Sequence, residues 1–202
     1  MKKDMGAGKR EFGFSTIELI TVIAVLAILA AIAVPTSSGL LPNAKLKSAA
    51  RDIYSNLQLA KLSAIKQNSD CAVVFDNGVS PGRYFICSSP GANVNWDGPP
   101  AMGGDDVVIK TINLSNYGNS IDYGSGNSTD DIPGGGAPPA DVITYAAPAD
   151  VAVFSHTGTV VNPGVAGSYV YLTNNRGSSY GVGTPSTAGV IVLRRWSGST
   201  WE

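Results

Sequence analysis

Residues 13–35 read GFSTIELITVIAVLAILAAIAVP, and this stretch decides the architecture of the chain. From Leu19 to Val34 it holds no charged residue, and Thr21 is its single polar one. As an α-helix, residues 14–34 extend for about 31 Å, which matches the hydrocarbon thickness of a bilayer. We therefore predict that residues 14–34 form a transmembrane helix.

The residues before this run form a short charged leader, 1–13. It carries four basic and two acidic side chains, so its removal would change the net charge of the chain from −1 to −3. Basic residues that precede a membrane span stay in the cytoplasm, which places the rest of the chain in the periplasm. The mildly acidic remainder argues against a surface built to hold nucleic-acid phosphates.

Glu18 is an acidic residue at the start of the apolar run, where an ordinary anchor does not need one. Two readings of it stay open. It could neutralise a free amine that a cut between Gly13 and Phe14 would create, or it could lie in the headgroup region near the helix N-terminus. Ala31-Ile32-Ala33 could also be a signal-peptidase site, but this apolar run is longer than the usual core of a signal peptide.

The stretch Gly13-Phe14-Ser15-Thr16-Ile17-Glu18-Leu19 before an apolar helix resembles the class III signal of type IV prepilins and type II secretion pseudopilins. The resemblance implies that a prepilin peptidase cuts after Gly13 and N-methylates Phe14, and that Glu18 neutralises the amino terminus of an adjacent subunit. It implies storage in the inner membrane with a single span, followed by assembly into a filament. The expected partners are other pilin or pseudopilin subunits, the inner-membrane assembly platform and, before assembly, membrane lipid.

Residues 35–67 are predicted to continue the helix as an amphipathic half. Pro35 removes a backbone donor, so we expect a kink or local melting over 36–42, with a restart at Asn43. Beyond it, apolar residues recur at three- and four-residue spacing and form one face that should pack on a sheet. They are Leu46, Ala49, Ala50, Ile53, Leu57, Ala60 and Ala64.

Residues 68–202 are predicted to form a globular β domain. Two runs, 71–75 and 83–87, flank a turn-rich segment and predict a hairpin. Pairing the strand ends places Cys71 opposite Cys87, which predicts a disulfide, with two buried free thiols as the alternative. The loop 88–104 could pack Trp96 and Met102 on the sheet. Further predicted strands are 107–114, 120–123, 142–145, 151–155, 159–161, 169–173 and 189–193.

Short patterns in the second half resemble the GspH/FimT branch of pilin-like proteins. They are LQLAKLSAIKQN (57–68), VAVFSHTGTV (151–160), YVYLTNNRG (169–177) and GVIVLRR (189–195). The resemblance implies an α+β, pilin-like fold in which a long N-terminal helix packs on an antiparallel sheet. It also implies a structural role, as a minor subunit of a type II secretion pseudopilus or a type IV pilus.

The alternative function is DNA binding during natural transformation. It rests on Arg194, Arg195 and Trp196, with Arg176, because guanidinium groups beside an indole could hold a phosphate and stack on a base. Some relatives in the FimT branch are thought to bind DNA through a C-terminal Gly-Arg-x-Arg stretch, which this sequence lacks. Arginines at a strand end that stay in solvent or contact a neighbouring subunit fit the sequence better, so we expect no nucleic-acid partner.

Other chemistry finds little support in the sequence. The lone His156 lies beside a turn and has no nucleophile elbow, so we expect no enzyme. Asp130, Asp131 and Asp141 could bind calcium, but they lack a fixed ligand spacing, and solvated loop carboxylates fit better. We expect no cofactor and no metal.

Overall fold

The computed structural model describes residues 13–132, 136–137, 141–146, 150–161, 163–164 and 167–202, with only the backbone of 32–40. The predicted leader therefore lies outside the described residues except for Gly13. The chain consists of two compact units, Met1–Leu40 and Leu41–Glu202.

Helix α1 comprises Thr16–Gln67. The expected unwinding over 36–42 is wrong, because these residues are helical without a break. Proline withdraws one backbone donor and does not prevent helical hydrogen bonds on either side. The helix ends in a Schellman motif: Asn68 has a left-handed φ of 52°, and the backbone N–H of Ser69 donates to Ala64 O at 3.2 Å.

The amphipathic face predicted for the second half of α1 is confirmed. Every side chain that the spacing assigned to it is fully buried, at 0% exposure. The face packs on the main hydrophobic core, which also contains residues from both sheets.

The described residues form two four-stranded antiparallel sheets rather than one. The first has the order β3-β2-β1-β5 and the second the order β4-β6-β7-β8. In chain order the strands are β1 Cys71–Asp76, β2 Arg83–Ser89, β3 Val107–Asn113, β4 Ile121–Tyr123, β5 Val151–Phe154, β6 Ser168–Asn174, β7 Ser179–Thr184 and β8 Val192–Arg195. Two short 3₁₀ helices, Pro100–Met102 and Leu114–Tyr117, flank β3.

Strand β1 of the first sheet is buried on both faces. Val73 and Phe75 belong to the main core, whereas Ala72 and Val74 belong to a second cluster on the opposite face. Trp96, from the loop between β2 and β3, packs against that second cluster as expected, whereas Met102 is 37% exposed. Cover on both faces explains why β1 is continuously apolar instead of alternating.

The predicted disulfide is wrong: Cys71 and Cys87 are buried free thiols. The hairpin exists, but its register pairs Ala72, not Cys71, with Cys87. Because successive strand residues face opposite sides, this one-residue offset puts Cys71 in the main core and Cys87 in the second cluster. Burial raises the pKa of Cys87 to about 12, which keeps it a thiol at neutral pH.

Candidate functional site

The residues predicted to direct processing and assembly lie at the start of α1. Gly13 is exposed, and a side chain added there would meet no atom of the described residues within 4 Å. Phe14 is 84% exposed, and Glu18 lies in the first helical turn. Among the described residues, the Glu18 carboxylate has no hydrogen-bond or ion-pair partner. Among the residues that the structure describes, nothing shields the Gly13–Phe14 bond, and the acidic group one turn later is available to another molecule.

The first part of α1 exposes apolar side chains on all its sides. Between Ile17 and Leu29, each large aliphatic residue is 48–66% exposed. These residues are Ile17, Leu19, Ile20, Val22, Ile23, Val25, Leu26, Ile28 and Leu29. A contiguous apolar surface of this kind marks an interaction site. Within the described residues, no helix combines the length and the apolarity needed to cross a membrane.

The predicted basic cluster at the carboxyl end is only partly brought together. Arg194 and Arg195 are exposed at the end of β8. Trp196, by contrast, is 7% exposed, and its ring lies 5.4 Å from that of Trp201. The indole of Trp201 in turn donates a hydrogen bond to the Asp130 carbonyl at 2.8 Å. Trp196 is therefore a packing residue, and it does not offer a free face on which a base could stack.

Arg195 lines two neighbouring cavities. The first cavity has a volume of about 210 Å³, and Arg195 lines it with Lys47 of α1, Tyr180 of β7 and Ser178, which directly precedes β7. The second, of about 310 Å³, also contains Arg176. The sequence indicated Arg176 and Arg195 but not Lys47, because only the packing of α1 on the sheet brings that lysine close. The three cations favour an anionic group at this surface.

The remaining candidates from the sequence are not brought together. His156 is exposed in the turn after β5, where neighbouring hydroxyl groups of Ser155 and Thr159 bond each other at 2.7 Å. Asp131 accepts from the Gly136 amide and Asp141 from the Ile143 amide, each at 3.2 Å. Each of these two carboxylates therefore stabilises its own loop by accepting a backbone hydrogen bond.

The comparison with protein families is decisive for the class of protein. The sequence profile of the family described as type II transport protein GspH matches residues 49–194, which comprise most of the chain. The chain belongs to this GspH family. GspH proteins are structural, non-catalytic pseudopilins of type II secretion. The α+β fold of the chain is consistent with the pilin-like fold expected of such a subunit. The chain has no significant match among curated proteins or among solved structures.

The family match begins at Ala49, inside the second half of α1, and ends at Arg194 in β8. It therefore includes the buried helix face from Ala49 onward, all the strands of both sheets up to β8, and the loop between β2 and β3. The match does not include Gly13, Phe14 and Glu18, whose roles stay predictions.

Proposed function

We propose that this GspH-family protein is a minor pseudopilin: a structural subunit that adds to the pseudopilus of a type II secretion system. Family membership over residues 49–194 is the observation that carries the proposal. The exposed apolar surface of 17–29 supports it, because that surface needs an apolar environment on every side. Lipid would provide it before assembly, and the helices of neighbouring subunits afterwards.

Residues 14–34 are the proposed membrane segment of the stored subunit. The support is the uncharged sequence that continues to Val34, beyond Ala31, the last residue of the run whose side chain is described. The domain 41–202 would lie in the periplasm because the basic leader stays in the cytoplasm. A prepilin peptidase would cut after Gly13 and methylate Phe14.

Glu18 is the proposed assembly residue. A carboxylate within a membrane segment costs about 2.5–3.5 kcal/mol near the helix centre and less near the interface. That cost is offset if the carboxylate meets a cation, and the new amino terminus of an adjacent subunit is a cation of the right size. This role is supported because the Glu18 carboxylate has no hydrogen-bond or ion-pair partner among the described residues.

The experiment that tests the proposal has a processing arm and an assembly arm, both in a host with an active secretion machine. Mass spectrometry of the wild type should find methylated Phe14 as the first residue, whereas Gly13→Ala should leave the precursor uncut. Glu18→Ala should be cut normally but should fail to co-purify with sheared pseudopili. Thr21→Ala is the matched control, because Thr21 lies one turn later and bonds only the backbone, Glu18 O at 2.8 Å.

Two results would contradict the proposal. One is a mature protein that begins at a residue other than Phe14. The other is an equal loss of filament incorporation in Glu18→Ala and Thr21→Ala, since this would point to general damage to the helix.

DNA binding is not proposed as a second function. The residue expected to stack on bases, Trp196, is buried against Trp201. Arg176 and Arg195 line a common cavity, but Arg194 lies outside it. Exposed arginines at this edge fit a contact with a neighbouring subunit as well as they fit a phosphate, so they do not favour DNA.

A further inference from the structure

Three carboxylates converge in the loop between β2 and β3. Asp97, Asp105 and Asp106 each place one carboxylate oxygen within 4.8 Å of the oxygens of the other two. None of them forms an ion pair with a described lysine or arginine, because the one ion pair among the described side chains joins Arg83 to Asp76. Three negative charges at this separation repel each other, so a positive charge bound among them would stabilise the arrangement.

Asp106 gives an independent reason to expect a cation. Its side chain is 3% exposed, and its Oδ1 is buried without any hydrogen-bond donor. Its Oδ2 accepts from the Gly98 amide at 3.0 Å, and this bond fixes the direction of the carboxylate. A buried carboxylate oxygen without a donor is costly, and buried charges in proteins are normally paired or bound to metals.

Asp105 repeats this arrangement. Its Oδ2 accepts from the amides of Ala92 at 2.7 Å and Asn93 at 3.3 Å, whereas its Oδ1 is buried without a donor. Asp97 is held as well, because its Oδ2 accepts from the Asn93 side chain at 2.7 Å. Asp97 Oδ1 also accepts from the Asp105 amide at 3.4 Å. The loop therefore orients Asp105 and Asp106 through one oxygen each and Asp97 through both, and it leaves an oxygen on both Asp105 and Asp106 for another ligand.

The loop backbone closes tightly around these groups. A Cβ at Gly104 would lie 2.1 Å from Gly98 O and 2.3 Å from Asp97 Oδ1, and one at Gly91 would lie 2.4 Å from the Asp105 carboxyl. Burial raises the pKa of the Asp106 carboxyl, and the charges of Asp97 and Asp105 raise it further. A bound cation would act against both effects.

We propose that Asp97, Asp105 and Asp106 bind one divalent calcium ion. Calcium takes six to eight hard oxygen ligands at about 2.3–2.6 Å, so opposite ligands of one ion lie up to about 5 Å apart, and the three oxygens fit within this span. Carbonyl groups of the loop and water would complete the shell. Magnesium fits less well because it demands near-ideal octahedral geometry.

Calcium would stabilise a surface beyond the site itself. The loop carries Trp96, which covers the outer face of the first sheet, and Asp106 leads directly into the edge strand β3. At the start of β3, Val107, Val108 and Ile109 expose 52%, 37% and 45% of their surface. The ion would thus hold in place both the cover of the sheet and an exposed apolar edge.

The test uses the full chain in a non-ionic detergent. Terbium, which replaces calcium in oxygen sites, is titrated first, because the neighbouring Trp96 should sensitise its luminescence. Calcium chloride should displace it at one site per chain, with a dissociation constant of about 0.1–1 mM, as in extracytoplasmic calcium modules. Magnesium should compete at least tenfold more weakly. Calorimetry with calcium alone should give the same stoichiometry.

Asp106→Asn is the decisive variant, and Asp130→Asn is its matched control. Both changes remove one negative charge from a loop, but Asp130 lies outside the acidic cluster. Asp106→Asn should weaken calcium binding at least tenfold and Asp130→Asn should leave it unchanged. In EDTA, Asp106→Asn should melt at or above the wild-type temperature, because an amide has no charge to bury. In calcium, only the wild type and Asp130→Asn should melt at a higher temperature than in EDTA.

The proposal is overturned if the wild type binds no calcium up to 10 mM (about ten times the weakest expected constant). It is equally overturned if Asp106→Asn binds as tightly as the wild type, or if Asp130→Asn abolishes binding. Should Asp106→Asn not fold in EDTA, Asp105→Asn replaces it with the same expected loss, because Asp105 is only partly buried.

Discussion

The hydroxyl of Tyr84 is the centre of a polar network that joins α1 to both β2 and β3. It accepts from Asn56 Nδ2 at 2.8 Å and donates to Asp52 Oδ2 at 3.4 Å. Lys110 of β3 extends the network by donating to Asn56 Oδ1 at 3.0 Å, and Tyr117 also donates to Asp52. Burial raises the pKa of Tyr84 far above its usual value, so the hydroxyl stays protonated.

Tyr84→Phe removes this hydroxyl and leaves the ring in place. Tyr84 is 0% exposed and Asn56 is 3% exposed, so water cannot readily replace the lost acceptor. Leaving a buried donor unsatisfied costs about 1–3 kcal/mol. The weak 3.4 Å bond to Asp52 adds little, because that carboxylate keeps Tyr117 as a donor. We expect a loss of about 2 kcal/mol, or roughly 4–8 °C in melting temperature for a domain of this size.

The assay is urea unfolding of the fragment 41–202, followed by circular dichroism. This fragment suits the measurement because the buried core residues all lie within it. Tyr117→Phe is the matched control: it deletes the same group, but Tyr117 is only partly buried, so water can reach Asp52 and the cost should stay below about 1 kcal/mol. Equal losses in the two variants, or a Tyr84→Phe loss below 0.5 kcal/mol (under half the expected minimum), would refute the reasoning.

Two further predictions concern the same fragment. Leu57→Ala should destabilise it by about 2–5 kcal/mol because Leu57 is 0% exposed, whereas Leu62→Ala, at 61% exposure on the same helix, should cost less than about 0.5 kcal/mol in urea unfolding. Burial and the charge of Asp141 raise the pKa of Asp150 in the folded state. Above that pKa the ionised carboxylate lowers the free energy of unfolding, and below the pKa of the unfolded state this penalty vanishes because the carboxyl is protonated in both states. Asp150→Asn should therefore stabilise the fragment by a few tenths of a kcal/mol at pH 7 and not at pH 3, and an equal gain at both would contradict this.

The helix face was predictable because its pattern is local. The spacing from Leu46 to Ala64 follows the 3.6-residue period, and one buried face is the only arrangement that covers those side chains together. The apolar run 71–75 was also clear as a strand, since no turn former interrupts it. In both cases neighbouring residues determine the structure, so no knowledge of distant contacts is needed.

Strand β7, Ser179–Thr184, was missed because its glycines contradict strand propensity. The structure supplies the reason for them. A Cβ at Gly183 would lie 2.0 Å from Ser168 O, and one at Gly181 would lie 2.2 Å from the Ile132 side chain. Contacts with distant segments therefore select these glycines, and such contacts are invisible in the local sequence. Two other predicted strands, 142–145 and 159–161, are reduced to isolated bridges.

The site predictions failed where they depended on register or loop closure. The cysteine prediction required strand ends to pair in one register, and an offset of one residue reversed the result. The acidic group was missed because Asp97 and Asp105 meet only when the loop between β2 and β3 folds back on itself. The burial of Trp196 was missed because its cover, Trp201, approaches through a turn at the end of the chain.

The two parts of α1 solve different physical problems with one type of secondary structure. From Leu46 to Ala64 the helix buries one face in its own domain, so this part is stable without a partner. From Ile17 to Leu29 the apolar side chains are exposed on all sides. A helix of this second kind is stable only in a bilayer or among other helices. The proposed assembly subunit would meet both environments in turn, and the proposed pairing of Glu18 with a neighbour's amino terminus would give the change between them a direction, since a carboxylate is costly in lipid.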